Sequence, residues 1–369
     1  MIDFLEKLIS FPTVTRNLNE QYKILSWIDA QLTDVPLIKT EFERNGVPSL
    51  LYTTTTTKTP CLWLAAHCDV VPASPDHFHA KREGSRLSGR GAIDMKFAIA
   101  CYIRLAHELK NELAQYDLGI MITSDEEAGG QNGVGALVEE GYASDIVFLP
   151  DGGSMWNMEE RAKGMFHFEI TSTGTPAHAA KPWEGENPFH NLFVVLQKLQ
   201  SLFPAEPCGD LNHLHSTINI GKMHGGEVGN QVPALASTTI DVRCFANDEQ
   251  AIREAMQKIV SRFDKIEIKE MVTGFPYCND CSNDSFQLFK KLARDMHGIH
   301  VGTTVSHGSS DARYFVKKNI PVLLINPTGG GYHCDSEWID IQDLERYYAI
   351  LKEWICVIAK KMPLGNERL

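Results

Sequence analysis

The segment Leu64-Ala65-Ala66-His67-Cys68-Asp69 closes an apolar run, which starts at residue 61, with an imidazole and a carboxylate. Four other segments also carry metal-ligand side chains: Gly89-Arg90-Gly91-Ala92-Ile93-Asp94-Met95-Lys96, Thr123-Ser124-Asp125-Glu126-Glu127, Leu149-Pro150-Asp151-Gly152-Gly153 and Gly331-Tyr332-His333-Cys334-Asp335. Sites in open α/β sheets form where parallel strands end. Two imidazoles and three or four carboxylates suit two zinc-like ions about 3.5–4 Å apart. We therefore expect a two-metal hydrolase site at one edge of a sheet.

The first and last parts of the chain alternate helical and strand patterns. Up to residue 163, the patterns predict helices at 21–32, 94–109 and 134–140, and strands at 61–66, 118–123 and 146–149. After about residue 275 they predict a helix at 285–296, a strand at 321–325 and a closing helix at 341–362. This alternation predicts an α/β fold whose mixed, mostly parallel sheet is covered by helices.

The middle of the chain has a different order of elements. It predicts a strand at 164–173, a helix that Asn187 caps and that ends at 202, strands at 216–223 and 237–244, a helix that Asp248 caps and that ends at 263, and a strand at 265–272. This is the α+β split βαβ, or ferredoxin-like, pattern. We expect one domain of residues 1–163 and 274–369, and an inserted domain of residues 164–273.

Composition narrows the class of protein. With 369 residues, 43% hydrophobic and 22% charged, the chain suits a soluble protein with two sizeable domains. A net charge of −12 without a dense basic patch argues against nucleic-acid binding. No apolar run reaches the roughly 18 residues of a membrane helix, and the acidic N-terminus does not resemble a signal peptide. Nine scattered cysteines, including Cys278 and Cys281 in a single CxxC, favour a reducing cytoplasm.

Three of these motifs together resemble the M20 family of metallo-hydrolases, and the resemblance extends over the whole chain. His67-Cys68-Asp69-Val70-Val71-Pro72 is similar to the family's HxDVVP, residues 89–96 are similar to GRGAxDMK, and residues 124–128 are similar to SDEEA. The branch they resemble most contains succinyl-diaminopimelate desuccinylase and acetylornithine deacetylase. One segment departs from it: desuccinylases usually have Gly-Glu-Pro where this chain has Leu149-Pro150-Asp151-Gly152-Gly153.

The resemblance implies a set of metal ligands. Asp94 would bridge two ions, since one carboxylate can offer an oxygen to each. His67 and Asp151 would complete one ion, and Glu127 and His333 the other. Each ion would keep an open position for water or substrate, as catalytic zinc requires.

Two further carboxylates receive roles from the same resemblance. Asp69 would accept a hydrogen bond from the His67 imidazole, which fixes its tautomer and raises its basicity. Glu126 would be the general base, which takes a proton from the water between the ions and passes it to the leaving amine.

The inserted domain, which the resemblance makes a lid, supplies further candidates. His178, in a segment similar to GHxAxP, would stabilise the developing oxyanion, and Asn230, in a segment similar to GNxVP, could bond the same region. Arg243 is a candidate for binding a substrate carboxylate, although a surface salt bridge is an alternative. Ser309 and Ser310, in a segment similar to TSDGR, could hold the same carboxylate.

The function that follows is a dinuclear metal-dependent amidohydrolase acting on an N-acylated amino acid, with N-succinyl-diaminopimelate leading. The expected cofactors are two divalent ions, zinc first and cobalt or manganese as alternatives. An acetylornithine-type deacetylase, a carboxypeptidase or dipeptidase, and a non-catalytic metal-binding protein are the alternatives. A Cys68 nucleophile is a further class, but the chain has no matching His-Asn pair for it. Resembling enzymes form two-fold dimers through the lid, so we expect a homodimer.

Overall fold

A computed structural model describes residues 1–205 and 213–361 of the chain. The described residues divide into two compact units. The first contains Met1–Glu160, Asn279–Val305 and the described part of Ser310–Leu369, and the second contains the described part of Arg161–Cys278 together with Ser306–Ser309. Met362, the predicted end of the last helix, lies outside the described residues.

The helices and strands, numbered in chain order, have the following bounds. The α-helices are α1 (Ile2–Ile9), α2 (Leu18–Leu32), α3 (Lys96–Glu108), α4 (Ala136–Glu139), α5 (Pro188–Gln200), α6 (Ala246–Val260), α7 (Asp284–His297), α8 (Ala312–Val316) and α9 (Ile341–Ile358). The strands are β1 (Ile38–Arg44), β2 (Val47–Thr53), β3 (Leu62–His67), β4 (Lys81–Glu83), β5 (Arg86–Ser88), β6 (Leu118–Thr123), β7 (Ile146–Phe148), β8 (Asn157–Ala162), β9 (Gly164–Thr173), β10 (Ala177–His178), β11 (Thr217–Gly225), β12 (Gln231–Val232), β13 (Leu235–Cys244), β14 (Ile266–Gly274), β15 (Tyr277–Cys278), β16 (Gly302–Ser306), β17 (Val322–Leu323), β18 (Gly329–Gly330) and β19 (Trp338–Asp340).

The first unit is built on a six-stranded sheet in the order β1-β2-β6-β3-β7-β17. Strand β3 runs parallel to β6 and β7, and β17 runs parallel to β7, whereas β1, β2 and β6 pair antiparallel. Every residue of β3, β6 and β7 is buried, as expected of strands with both faces covered. The predicted α/β class with a mixed, mostly parallel sheet is confirmed.

The start of α3 differs from its prediction. The apolar pattern predicts a helix from residue 94, but α3 begins at Lys96. The backbone amide of Asp94 is bonded to a side chain, the Glu337 carboxylate, at 3.2 Å. The segment before the helix thus contacts a residue distant in sequence, and the helical period alone does not reveal this contact.

The second unit contains an antiparallel sheet in the order β11-β13-β9-β14. Alternate residues of β9 and β13 pack with apolar residues of α5 and α6, including Phe166, Ile170, Leu192, Ile240 and Met256. The predicted split βαβ arrangement is confirmed, because the order of elements and the sheet order both match it. None of the helices in the described ranges is long and apolar enough to cross a membrane.

The two helix caps predicted in this unit have different outcomes. Asn187 caps α5 as predicted, since its side chain accepts a hydrogen bond from the Phe189 amide at 3.0 Å. The cap predicted for Asp248 is wrong, because α6 begins at Ala246 with Phe245 at the cap position. Asp248 lies in the first turn, where a negative charge is favoured, and accepts a hydrogen bond from the Ser216 hydroxyl at 2.8 Å.

Candidate metal centre

Three neighbouring parallel strands of the first unit carry candidate ligands at their carboxyl ends. His67 is the last residue of β3, Glu126 and Glu127 follow β6 in a short 3₁₀ turn, and Asp151 follows β7. Because β6, β3 and β7 are adjacent and parallel, their ends lie together at one edge of the sheet.

Asp94 lies between the two histidines. Its Oδ1 is 3.3 Å from His67 Nε2 and its Oδ2 is 3.2 Å from His333 Nε2. His67 Nε2 is also 3.7 Å from Asp151 Oδ1, and His333 Nε2 is 3.3 Å from Glu127 Oε2. One carboxylate oxygen therefore faces each histidine, which is the arrangement that a bridging ligand needs.

Potential ligand atoms form two groups, each within 4.8 Å. One group contains His67, Glu126 and Asp151, and the other contains Asp94, Glu127 and His333. Glu126, which is predicted as the base and not as a ligand, is thus a member of the first group, together with the predicted ligands His67 and Asp151. Its carboxylate is near enough to serve either purpose.

The buried polar atoms of this cluster fit divalent cations. His67 Nε2 and Asp151 Oδ2 are buried and have no hydrogen-bond partner among the described residues. Buried polar atoms are normally satisfied, so these two atoms point to a ligand that completes them. A cluster of carboxylates with two imidazoles matches the oxygen and nitrogen donors that zinc accepts.

Burial and mutual repulsion shift the pKa values of the carboxylates. Burial, with the nearby charge of Asp151, raises the pKa of Glu126 well above its usual range. Burial and neighbouring carboxylates likewise raise the pKa of Asp151 to about 6, against the attraction of His67. Burial would also raise the pKa of Asp94, but the neighbouring imidazoles of His333 and His67 outweigh it and hold this pKa below the usual range.

The two imidazoles respond in the opposite direction. Burial would lower the pKa of His67, but the surrounding carboxylates, Asp151 foremost, raise it well above its ordinary value. Hydrogen bonds to Asp94 and Glu127 raise the pKa of His333 to about 10. The carboxylates of this cluster therefore attract positive charge strongly, whether it is carried by protons or by metal ions.

Asp69 connects the His67 imidazole to the loop that carries Glu126. Its backbone carbonyl is 3.0 Å from His67 Nδ1, and its carboxylate Oδ1 is 3.5 Å from the same nitrogen. A carbonyl can only accept, so Nδ1 carries a proton, and Nε2 is the nitrogen that would bind a metal ion. The carboxylate accepts hydrogen bonds from the amides of Glu126 at 3.1 Å and Glu127 at 3.2 Å.

Several polar residues around this cluster were not singled out from the sequence. Glu337 is buried against the loop that carries Asp94 and pairs with Arg90 at 2.7 Å. Arg313 and Tyr314 both donate to the Gly129 carbonyl at 2.6 Å, just beyond Glu127. Arg90 lies inside the GRGAxDMK-like motif and Glu337 lies four residues after His333, so proximity in sequence was the available signal.

The structure brings two of the lid candidates together within the second unit. His178 is exposed at the end of β10 and lies opposite Gln231 of β12. The amide of Ala179 donates to the Asn230 carbonyl at 3.0 Å. His178 and Asn230 therefore belong to one small two-stranded ribbon.

Arg243 has a carboxylate partner within the same sheet. Its Nε and Nη2 donate to the two oxygens of Asp241 at 2.7 and 2.9 Å, and His167 Nε2 lies 2.9 Å from Asp241 Oδ2. Part of the guanidinium is thus already engaged. The two serine candidates fall in different units, Ser309 in the second and Ser310 in the first, where Ser310 is buried.

Comparison with known families and relatives identifies the chain. The model of peptidase family M20/M25/M40 matches residues 63–356, and the chain therefore belongs to this family. The chain is 26% identical over 377 residues to a succinyl-diaminopimelate desuccinylase from Sulfurovum sp. (strain NBC37-1), with 96% of this chain and 98% of that protein covered.

Solved structures share its fold. A tripeptidase from Staphylococcus aureus superposes with a TM-score of 0.79 at 20% identity, covering 97% of both chains. A metallo-carboxypeptidase of the M20 family from Sulfolobus solfataricus gives a TM-score of 0.77 at 17% identity, covering 96% of this chain and 98% of that one. The chain is thus an enzyme of an amide-hydrolysing family that uses divalent metals.

Proposed function

We propose that this member of peptidase family M20/M25/M40 is a dinuclear amidohydrolase that releases the acyl group from an N-acylated amino acid, with N-succinyl-diaminopimelate as the leading substrate. The observation that carries the two-metal part is the position of Asp94, whose two oxygens face His67 and His333 at 3.3 and 3.2 Å. His67 and Asp151 would hold one ion, Glu127 and His333 the other, and Asp94 both.

The chemistry divides between the ions and the side chains. Two divalent ions, zinc first among them, would polarise the scissile carbonyl and make the attacking water more acidic. Glu126 accepts the proton of that water and delivers it to the nitrogen of the leaving amine, so that the amide C–N bond breaks as the acid and the amine form. Burial supports this role, because it raises the pKa of Glu126 and so makes its carboxylate a stronger proton acceptor.

The substrate proposal rests on the desuccinylase relative, which aligns over nearly the full length of both proteins.

One residue favours a second candidate, a dipeptidase or carboxypeptidase. Asp151 stands where the resemblance to desuccinylases expects a glutamate, and an aspartate at this position occurs in other branches of the family. One of the proteins that share the fold is a metallo-carboxypeptidase of the M20 family.

The lid, residues 164–273, is proposed to complete the site. His178 and Asn230 would donate hydrogen bonds to the developing oxyanion, and Arg243 with Ser309 and Ser310 would hold the substrate carboxylate. We also propose a homodimer through the lid. Strand β11 is an edge of its sheet, and the side chains of Phe193 and Val194 on α5 are exposed, which suits pairing with a second copy.

Substrate choice is tested with matched substrates on one zinc-loaded preparation. N-succinyl-diaminopimelate, N-acetylornithine and a panel of dipeptides would be compared by kcat/KM, with chelator-treated protein as the control. The leading proposal expects the succinyl substrate to be the best by at least about tenfold. A higher kcat/KM for dipeptides would select the second candidate, and equal activity in the chelated protein would reject the metal-dependent class.

Shared sites are tested by mixing two inactive variants. His178→Ala should keep its metals but turn over slowly, and Glu126→Gln should lack the base. If His178 of one subunit acts at the metals of the other, a mixed dimer regains about one active site with both residues intact. No recovery, in subunits shown to exchange, would mean that His178 acts within its own chain or has no role.

A further inference from the structure

A buried carboxylate that belongs to no ligand set lies directly behind Asp94. Glu337 is 2% exposed. Its Oε1 accepts hydrogen bonds from the amides of Ile93 at 3.0 Å and Asp94 at 3.2 Å. Its Oε2 accepts from the amide of Gly91 at 3.0 Å and from Arg90 Nη1 at 2.7 Å. Four donors thus converge on one side chain, and three of them belong to the backbone of the loop that presents Asp94.

The same segment that supplies Glu337 also supplies His333. Strand β19 pairs antiparallel with β5, with Trp338 opposite Ser88, and the Gly89 amide donates to the Glu337 carbonyl at 3.1 Å. The segment after residue 88 and the segment before residue 338 therefore lie side by side. Residues 333–337 contact the Asp94 loop twice, through His333 at the carboxylate oxygen of Asp94 and through Glu337 at its backbone.

We propose that Glu337 is the positioning residue that sets the bridging geometry of Asp94, an inference that rests on the proposed two-metal function. The Glu337 carboxylate binds the amides of Gly91, Ile93 and Asp94, and α3 begins only after this segment, at Lys96. Asp94 is thereby held where each of its oxygens faces one histidine.

A different reading makes Glu337 only the partner of Arg90 in a buried ion pair. The two roles can be distinguished experimentally. The ion pair uses only the Arg90 donor, whereas the loop geometry uses the three backbone amides. Arg90→Lys removes the guanidinium contact to Glu337 and leaves the three amide contacts in place. Glu337→Gln removes the negative charge and puts an NH₂ group in place of one carboxylate oxygen that accepts from the backbone, and two donors cannot bond each other.

The test compares Glu337→Gln and Arg90→Lys with wild type and with Glu345→Gln. The last variant is a matched control, because Glu345 pairs with Arg104 at 2.6 Å on the exposed surface. Three quantities would be measured: the thermal midpoint, the Co²⁺ affinity by competition with a chelating dye, and the visible absorption spectrum of the Co²⁺ protein. The spectrum reports ligand geometry, which a merely structural role leaves unchanged in the folded protein.

We expect Glu337→Gln to bind Co²⁺ about 10–100-fold more weakly, the usual cost of losing a partner that orients a ligand, and to show an altered spectrum. Arg90→Lys should lower the thermal midpoint but keep the affinity within about threefold of wild type, and Glu345→Gln should change neither. An unchanged affinity and spectrum in folded Glu337→Gln would overturn the proposal. Equal losses in Glu337→Gln and Arg90→Lys would overturn it in favour of the ion pair.

Two further measurements keep the test decisive. If Glu337→Gln does not fold, Glu337→Asp takes its place, since it keeps the charge but cannot reach all three amides. It should then lose affinity while retaining most of its thermal stability, and wild-type affinity in this variant would again overturn the proposal. Failure of wild type itself to bind two Co²⁺ ions would reject the two-metal function and not the role of Glu337 alone.

Discussion

The two halves of the candidate metal centre are built differently. His67 ends a central strand, and its side chain is 1% exposed. His333 lies in a loop, its side chain is 57% exposed, and its backbone has a left-handed φ of 58°. The buried half has its histidine at the end of a strand, the exposed half has its histidine in a loop, and Asp94 faces both histidines.

This difference assigns separate tasks to the halves. Buried charges interact strongly because little water screens them, so the His67 half suits the chemical step. Glu126 belongs to that half, within 4.8 Å of His67 and Asp151. The His333 half is open to solvent, so its ion should exchange faster and its ligand should titrate more readily.

The largest effect is expected at Glu126, in the buried half. Glu126→Gln should lower kcat by about 10²–10⁴-fold, the scale for a positioned proton-transfer group, while the number of bound ions stays at the wild-type value. Glu139→Gln, on the exposed end of α4, is the control and should have no effect. Steady-state kinetics with metal analysis on the same samples decide the question. Metal lost in proportion to activity would make Glu126 a ligand instead.

A paired substitution compares the two histidines directly. His67→Ala should weaken metal binding by more than the roughly 10–100-fold cost of losing a residue that only orients a ligand. The substitution removes a buried ligand and also the contact of His67 with the Asp69 carbonyl. His333→Ala should be milder and should remove mainly one ion. Titration with Co²⁺ gives both stoichiometry and affinity. Equal losses in the two variants would show that exposure does not distinguish the halves.

The buried half is also the half that the sequence predicted best. Apolar runs followed by His67, Glu126 and Asp151 indicate strands with ligand-type side chains at their carboxyl ends, and the structure brings these residues to one edge of the sheet. Period-two and period-3.6 patterns report burial along one element, and burial is what organises this half.

The exposed half depends on contacts between distant residues, and the local sequence pattern does not indicate them. The helical period predicts α3 two residues early, and the segment before the helix is bonded to Glu337, more than 240 residues away. The cap assigned to Asp248 failed for a related reason, since Asp248 accepts a hydrogen bond from Ser216 on another element. A contact between distant residues competes with local propensity, and a single sequence does not reveal it.

A smaller effect is expected at Asp69, which contacts His67 and the turn that carries Glu126 and Glu127. Asp69→Asn keeps the size of the side chain but offers one acceptor where the amides of Glu126 and Glu127 need two. We expect kcat to fall by about 10–100-fold, less than for Glu126→Gln, with a smaller loss of metal affinity. Ser144→Ala, whose hydroxyl donates to a backbone carbonyl away from the site, serves as the control. Unchanged kcat would mean that the backbone carbonyl of Asp69 alone orients His67.

The smallest expected effect is a change in the number of protons that the exposed half releases when a metal ion binds. A ligating imidazole must be neutral, but hydrogen bonds to Asp94 and Glu127 raise the pKa of His333 to about 10. Below that pH an ion must displace the His333 proton, so the contribution of His333 to metal affinity should rise with pH up to about 10 and then level off. Calorimetry at pH 7 in buffers of different ionisation heat counts the released protons, and His333→Ala should release about one fewer than wild type. An equal count in both proteins would mean that His333 either is already neutral at pH 7 or does not bind the ion, and the metal stoichiometry of the variant separates these two outcomes.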